Sequence, residues 1–104
     1  KILKMDKFKA HYSLLRVKTL VKEGRYRITA TAIKSAFEDF SLLSEELAEW
    51  VLRLEASDLY KSMTSRFDTT LWQDVYHKKI ITRIAYIKLQ ILDDETVIIS
   101  FKEK

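Results

Sequence analysis

Tyr86, Lys88, Ser100 and Lys102 have side chains that can act together on a phosphodiester, and alternation places them on one surface. In "ITRIAYIKLQIL" the odd positions Ala85, Ile87, Leu89 and Ile91 are apolar, as are Val97, Ile99 and Phe101 in "TVIISFK". Tyr86, Lys88 and Gln90 fill the even positions of the first stretch, and Ser100 and Lys102 those of the second. Strand side chains alternate between faces, so both apolar rows must meet one core, and a slip of one residue would turn every side chain over. Paired positions must therefore sum to an even number. A three-residue loop, Asp93-Asp94-Glu95, pairs Leu92 with Thr96 and predicts Tyr86 opposite Lys102, Lys88 opposite Ser100, and Ile87 opposite Phe101. Directly opposed residues lie roughly 4.5–5.5 Å apart at Cβ, close enough to share a ligand. A phenol can pass on a proton or stack on a base, and an ammonium stabilises negative charge as it develops. The same residue types also suit a solvated sheet face.

Other constellations carry less. Ser62, Asp74 and His77 can be drawn as a triad, but Asp74 and His77 stand an odd number of positions apart on one strand and point to opposite faces. Glu45 and Glu46 follow Ser44, where helix-end electrostatics accounts for them better than an acid/base pair. There is no activated Ser or Cys nucleophile and no glycine-rich phosphate loop. The absence of cysteine excludes a disulfide scaffold, and two histidines, His11 and His77, fall short of a structural zinc site. His77 reads as a residue of the loop "HKK".

The elements that must hold this surface follow from periodicity. Leu14, Val17, Leu20 and Val21 repeat at helical spacing, and Gly24, the one glycine, suits the left-handed residue past a helix end. This predicts helix 1 over about residues 6–23. "RYRIT" reads as a short extended link. Thr29 or Thr31 can cap a second helix with Ile33, Ala36, Phe37 and Phe40 on one face. Ser44 starts a third, whose buried stripe is Leu47, Trp50, Val51 and Leu54. From Tyr60 the period becomes two: "YKSMTS", "LWQDVYH", "ITRIAYIKLQIL" and "TVIISFK" are strands joined by "RFDTT", "HKK" and "DDE". Helices first and strands after predict an α+β fold, with helices on one face of a mainly antiparallel sheet.

The 104 residues fit one domain, 1–104, and 47% hydrophobic with 33% charged residues fits a globular chain. No stretch is long and apolar enough to span a membrane and no leader is evident, so the expected location is cytoplasmic. Of the net charge of +4, residues 1–27 carry nine Lys/Arg against two acids, while residues 28–58 are acidic. That asymmetry suits a polyanionic partner, although a basic helix is also an ordinary solvated face.

The blocks "SDLYKSMT", "LWQDVY", "YIKL" and "ISFKEK", in that order between Ser57 and Lys104, resemble those of the MqsR family, the motility quorum-sensing regulator toxins of bacterial toxin–antitoxin pairs. "VKTLVKEG" fits more loosely, and residues 29–54 least. The resemblance implies an mRNA interferase with a RelE-like fold. It implies cleavage of single-stranded mRNA at short GC-containing triplets, without a metal or other cofactor, and restraint by a cognate MqsA-like antitoxin. Any zinc would belong to that partner, and DNA would be met only through the antitoxin complex. The proposed catalytic residues of the family fall on Lys61, Gln73, Tyr86 and Lys102. Alternation cannot say whether Lys61 and Gln73 share the face of Tyr86, because Met63 and Val75 accompany them. Lys88, Ser100, His77, Tyr76 and Trp72, with basic helix 1, are candidate RNA contacts, Trp72 being better suited to the core than to a stacking platform. Three departures stand out: "HKK" in place of an Arg-Pro-Arg-like turn, Arg83 where a small residue is common, and one extra residue in "DDET". A ribosome-dependent nuclease and a non-catalytic RNA- or antitoxin-binding module are the alternatives.

Overall fold

The computed structural model describes residues 5–104; Lys1 and Lys4 of the basic N-terminal stretch lie outside it. In chain order the elements are β1 (Asp6–Lys7), α1 (Leu14–Lys22), β2 (Tyr26–Ile28), α2 (Ala30–Phe40), α3 (Ser44–Leu52), a 3-10 turn (Ala56–Asp58), β3 (Leu59–Thr64), β4 (Trp72–Ile80), β5 (Arg83–Leu92) and β6 (Glu95–Glu103). The sheet runs β1-β3-β4-β5-β6-β2, antiparallel except that β2 lies parallel to β6. The expected α+β architecture is therefore present, with two further strands at its edges.

Those edge strands correct the reading of the N-terminal third. Helix 1 starts eight residues later than expected because Ser13 caps it, accepting from the Arg16 N–H. The residues before it are extended: Asp6 and Lys7 pair with Met63 and Ser62, and the Thr64 N–H donates to the Met5 carbonyl. Gly24, at φ +76°, closes α1 as expected; the Arg25 N–H reaches back to the Leu20 carbonyl and the Gly24 N–H to Val21. The "RYRIT" link is a strand, tied to β6 through Tyr26–Thr96 and Ile28–Ile98.

Thr29 caps α2, accepting from the Ala32 N–H. The buried face is Ala32 and Ala36, with Phe40 packed edge-on against Phe101; Ile33 and Phe37 are exposed, contrary to the predicted face. Small residues there let the helix approach the sheet closely. On α3, Leu47, Ala48 and Val51 are buried, and the Glu46 carboxylate accepts from the Leu43 N–H. Together these helices bury Ala85, Ile87, Leu89, Ile98 and Phe101 on one face of the sheet.

The β5–β6 hairpin pairs Tyr86 with Lys102, Ile87 with Phe101 and Lys88 with Ser100, as alternation predicts. Its turn is different. Asp93 and Asp94 alone form it, both with positive φ, as a tight two-residue hairpin requires, and Leu92 pairs with Glu95 rather than Thr96. A bulge at Ile99 supplies the missing residue between the Leu89–Ile98 and Lys88–Ser100 pairs. Beyond it the alternation inverts: Ile98 enters the core, while Ile99 lies outside it and Val97 stands opposite Gln90. "HKK" is not a loop but part of β4; the chain reverses at Ile81-Thr82, with Ile81 at φ +58°.

Candidate active site

The sheet face away from the helices collects the four proposed catalytic residues. On β3 and β4, Lys61 stands opposite Val75 and Met63 opposite Gln73. On β4 and β5, Val75 stands opposite Lys88 and His77 opposite Tyr86. Lys102 faces Tyr86 across the next ladder. Opposed residues share a face, so Lys61, Gln73, Tyr86 and Lys102 are brought together, with Lys88, Ser100 and His77 among them.

Tyr86 is the centre of this face. The Lys102 ammonium lies 5.1 Å from its ring centroid and that of Lys88 5.9 Å, while its hydroxyl reaches the Met63 sulfur at 4.0 Å. Burial pushes the phenol pKa up; Lys61 pulls it back and Tyr60 adds to the rise. Tyr86 is thus a protonated group at neutral pH, fit to donate. His77 moves the other way: burial and then the Lys104 ammonium push its imidazole below the usual value, so it is neutral and able to accept. Its ring lies 6.1 Å from that of Tyr86.

Lys61 is half-buried and pairs with the Asp6 carboxylate of β1 at 2.9 Å; this hydrogen bond is the main reason its ammonium is held above its usual pKa. The Gln73 side-chain N–H donates to the Gln90 carbonyl oxygen at 3.3 Å. Among the described residues, no three His, Cys, Asp or Glu side chains gather where they could hold a metal ion.

Three candidates are corrected. Tyr76 is 1% exposed, opposite Ile87 beneath the helices, with its phenol pushed up to about 12 chiefly by burial; it is a core residue and not an RNA contact. Trp72, two residues before Asp74 on the same side of β4, stacks on His11 at 5.4 Å and lies under the Lys7 ammonium at 4.2 Å. It clasps the segment that precedes α1. Helix α1 itself packs in the core on the helix side, so its basic residues do not flank the open face.

The sequence reading missed Tyr60 and Asp6. A bulge between Leu59 and Lys61 releases Tyr60 from alternation, and its ring stacks on His77 at 4.4 Å with a 17° interplanar angle. No residue type announces that bulge. Asp6 falls within the stretch expected as helix 1, and nothing around "KFKA" signals the strand that pairs it with Met63.

Comparisons with known proteins identify the family. Residues 9–103 match the family described as "Motility quorum-sensing regulator, toxin of MqsA". The chain is also 39% identical over 100 residues to mRNA interferase toxin MqsR of Escherichia coli (strain K12), which covers 96% of this chain and 100% of that protein. The chain belongs to the motility quorum-sensing regulator toxin family. It is an endoribonuclease, and the open face is the surface of this family member on which cationic, phenolic and imidazole groups converge. Among the described residues, no helix is long and apolar enough to cross a membrane.

Proposed function

We propose that the chain, acting as one domain in the cytoplasm, cleaves single-stranded mRNA at GC-containing triplets without a metal ion and is neutralised by an MqsA-like antitoxin, meeting DNA only through that complex. The observation that carries the chemistry is the pairing of a raised phenol, Tyr86, with a lowered imidazole, His77, directly opposite it between lysines. Groups whose environments drive their pKa values apart divide into acid and base. His77 takes the proton of the RNA 2′-hydroxyl, whose oxygen attacks the adjacent phosphorus. The bond to the 5′-oxygen breaks as Tyr86 protonates it, leaving a 2′,3′-cyclic phosphate and a free 5′-hydroxyl. Lys61 and Lys102 stabilise the charge that builds on the non-bridging oxygens, a contribution available to fixed ammonium groups as it is to a metal. Tyr60, exposed and stacked on His77, extends the surface on which an unpaired base can lie.

The test is incubation of purified protein with a synthetic mRNA in chelator, without ribosomes. Cuts at defined triplets, ending in cyclic phosphate and abolished by 2′-deoxy substitution at the scissile position, are expected. Cleavage only with ribosomes would support a ribosome-dependent nuclease, retention without cleavage a binding module. Protection by an added antitoxin of the MqsA type tests the restraint.

A further inference from the structure

Beside Gln73 the open face deepens into a pocket of about 160 Å³, between the sheet and the β3–β4 loop. Met63 and Ile99 form apolar walls, Gln73 and Lys88 belong to its sheet side, and Arg66 and Phe67 come from the loop. The volume is that of about five waters, which fits one planar heterocycle. The loop is held by its own bonds: the Ser65 N–H to the Leu71 carbonyl, the Phe67 N–H to the Ser65 hydroxyl, and Thr70 to the Asp68 carboxylate. The pocket is therefore formed before any ligand arrives.

We infer that this pocket takes one unpaired nucleobase of the RNA and that Gln73, held by its bond to Gln90, reads its edge. The inference rests on the endoribonuclease reading above and adds what that reading lacks, a place where sequence is recognised. Gln90 is 7% exposed, and its bond uses its carbonyl oxygen and one N–H of Gln73. The Gln73 carbonyl oxygen and its second amide N–H remain, an acceptor beside a donor, which is the pattern a base edge answers. The apolar walls suit the faces of a ring and the rim cations its phosphates. The Ile99 bulge contributes to this directly, since regular pairing would have sent Ile99 into the core. Single-stranded RNA is read by this combination of contact on base faces and hydrogen bonds on base edges.

Two measurements decide it. The first is cleavage of an RNA pool randomised around the cut, by wild type and by Gln90→Leu, which keeps the bulk and removes the amide. The expected result is loss of preference at one nucleotide position by about tenfold, with preference at the other positions retained. Unchanged preference, or equal loss at every position, overturns the inference. The second is titration of the wild-type protein with the four ribonucleoside 5′-monophosphates, followed by the side-chain amide NMR signals of Gln73 and Gln90. Selective shifts with one or two of the four support the site; no shift, or equal shifts with all four, overturns it. This arm needs no turnover, so it stands even if the nuclease reading fails, and Phe67→Ala, altering only a 93% exposed loop residue, should weaken the shifts without unfolding the chain.

Discussion

The two faces of the sheet are made by alternate residues of the same strands and do different work. Under the helices, Tyr76, Ala85, Ile87 and Phe101 are at most 1% exposed, and the buried Asp74 carboxylate accepts from the backbone N–H groups of His11 and Tyr12 at 2.9–3.1 Å. On the open face the neighbours of these residues, His77, Tyr86 and Lys102, keep partly exposed polar groups with shifted or uncompensated charge. Stability is carried on one side and chemistry on the other. Residues adjacent in sequence should therefore separate in experiment.

Phe101 and Lys102 give the widest separation. Phe101→Ala opens a cavity against Phe40 and is expected to cost about 3–5 kcal/mol in denaturant unfolding. Lys102→Ala should leave that unfolding curve almost unchanged while lowering the cleavage rate by about 10²–10³. His77→Gln belongs with Lys102: a loss of about 10²–10⁴ is expected, together with loss of the acid limb of the pH–rate profile. If Lys102→Ala unfolds instead, the division between the faces fails.

Gln73 and Asp74 repeat the contrast at smaller cost. Asp74→Ala strips the acceptor from two backbone N–H groups and should cost about 1–3 kcal/mol of stability. Gln73→Ala should alter cleavage with stability retained. An Asp74 variant of undiminished stability would show that the segment before α1 is not held by this carboxylate.

The same division explains what the sequence made legible. In β5 and β6 one row is apolar and the other polar, so parity alone predicted Tyr86 opposite Lys102. The prediction survived a wrong turn because a two-residue turn and a bulge at Ile99 together displace the chain as a three-residue loop would. In β3 and β4 both rows mix polar and apolar side chains: Met63 and Val75 lie on the open face, Ser62 and Asp74 across from each other on the other. No parity argument could orient Lys61 and Gln73 there, and only the family resemblance pointed to them. The β4–β5 turn was misplaced for a different reason. Ile81 takes φ +58°, a conformation that β-branched residues rarely adopt, so the turn lacks the Gly, Asn or Asp that would signal it. Ile81 is 86% exposed, and Ile81→Asn should relieve that strain and raise stability by about 1 kcal/mol, read as an increase in the denaturation midpoint. No gain would mean the turn is held at little cost.

The two histidines, one on each side, supply the smallest expected effect and a direct check on the division. Both have folded pKa values below the usual 6.5: His77 through burial and Lys104, His11 through desolvation and Lys7, with Asp74 opposing. Unfolded, each binds its proton near pH 6.5. Below that pH and above the folded values, the unfolded chain holds more protons than the folded one, so stability must fall as the pH drops through this window. Above pH 6.5 neither contributes a slope. Replacing either histidine with Gln should flatten part of the slope in thermal unfolding midpoints measured from pH 7.5 downward, and replacing both should flatten more. Cleavage separates them where stability does not. His11→Gln should keep the wild-type acid limb because its ring packs on Trp72 on the far side, whereas His77→Gln should abolish it. An acid limb that moved with His11 would place the titrating group on the wrong face and break the assignment of acid and base.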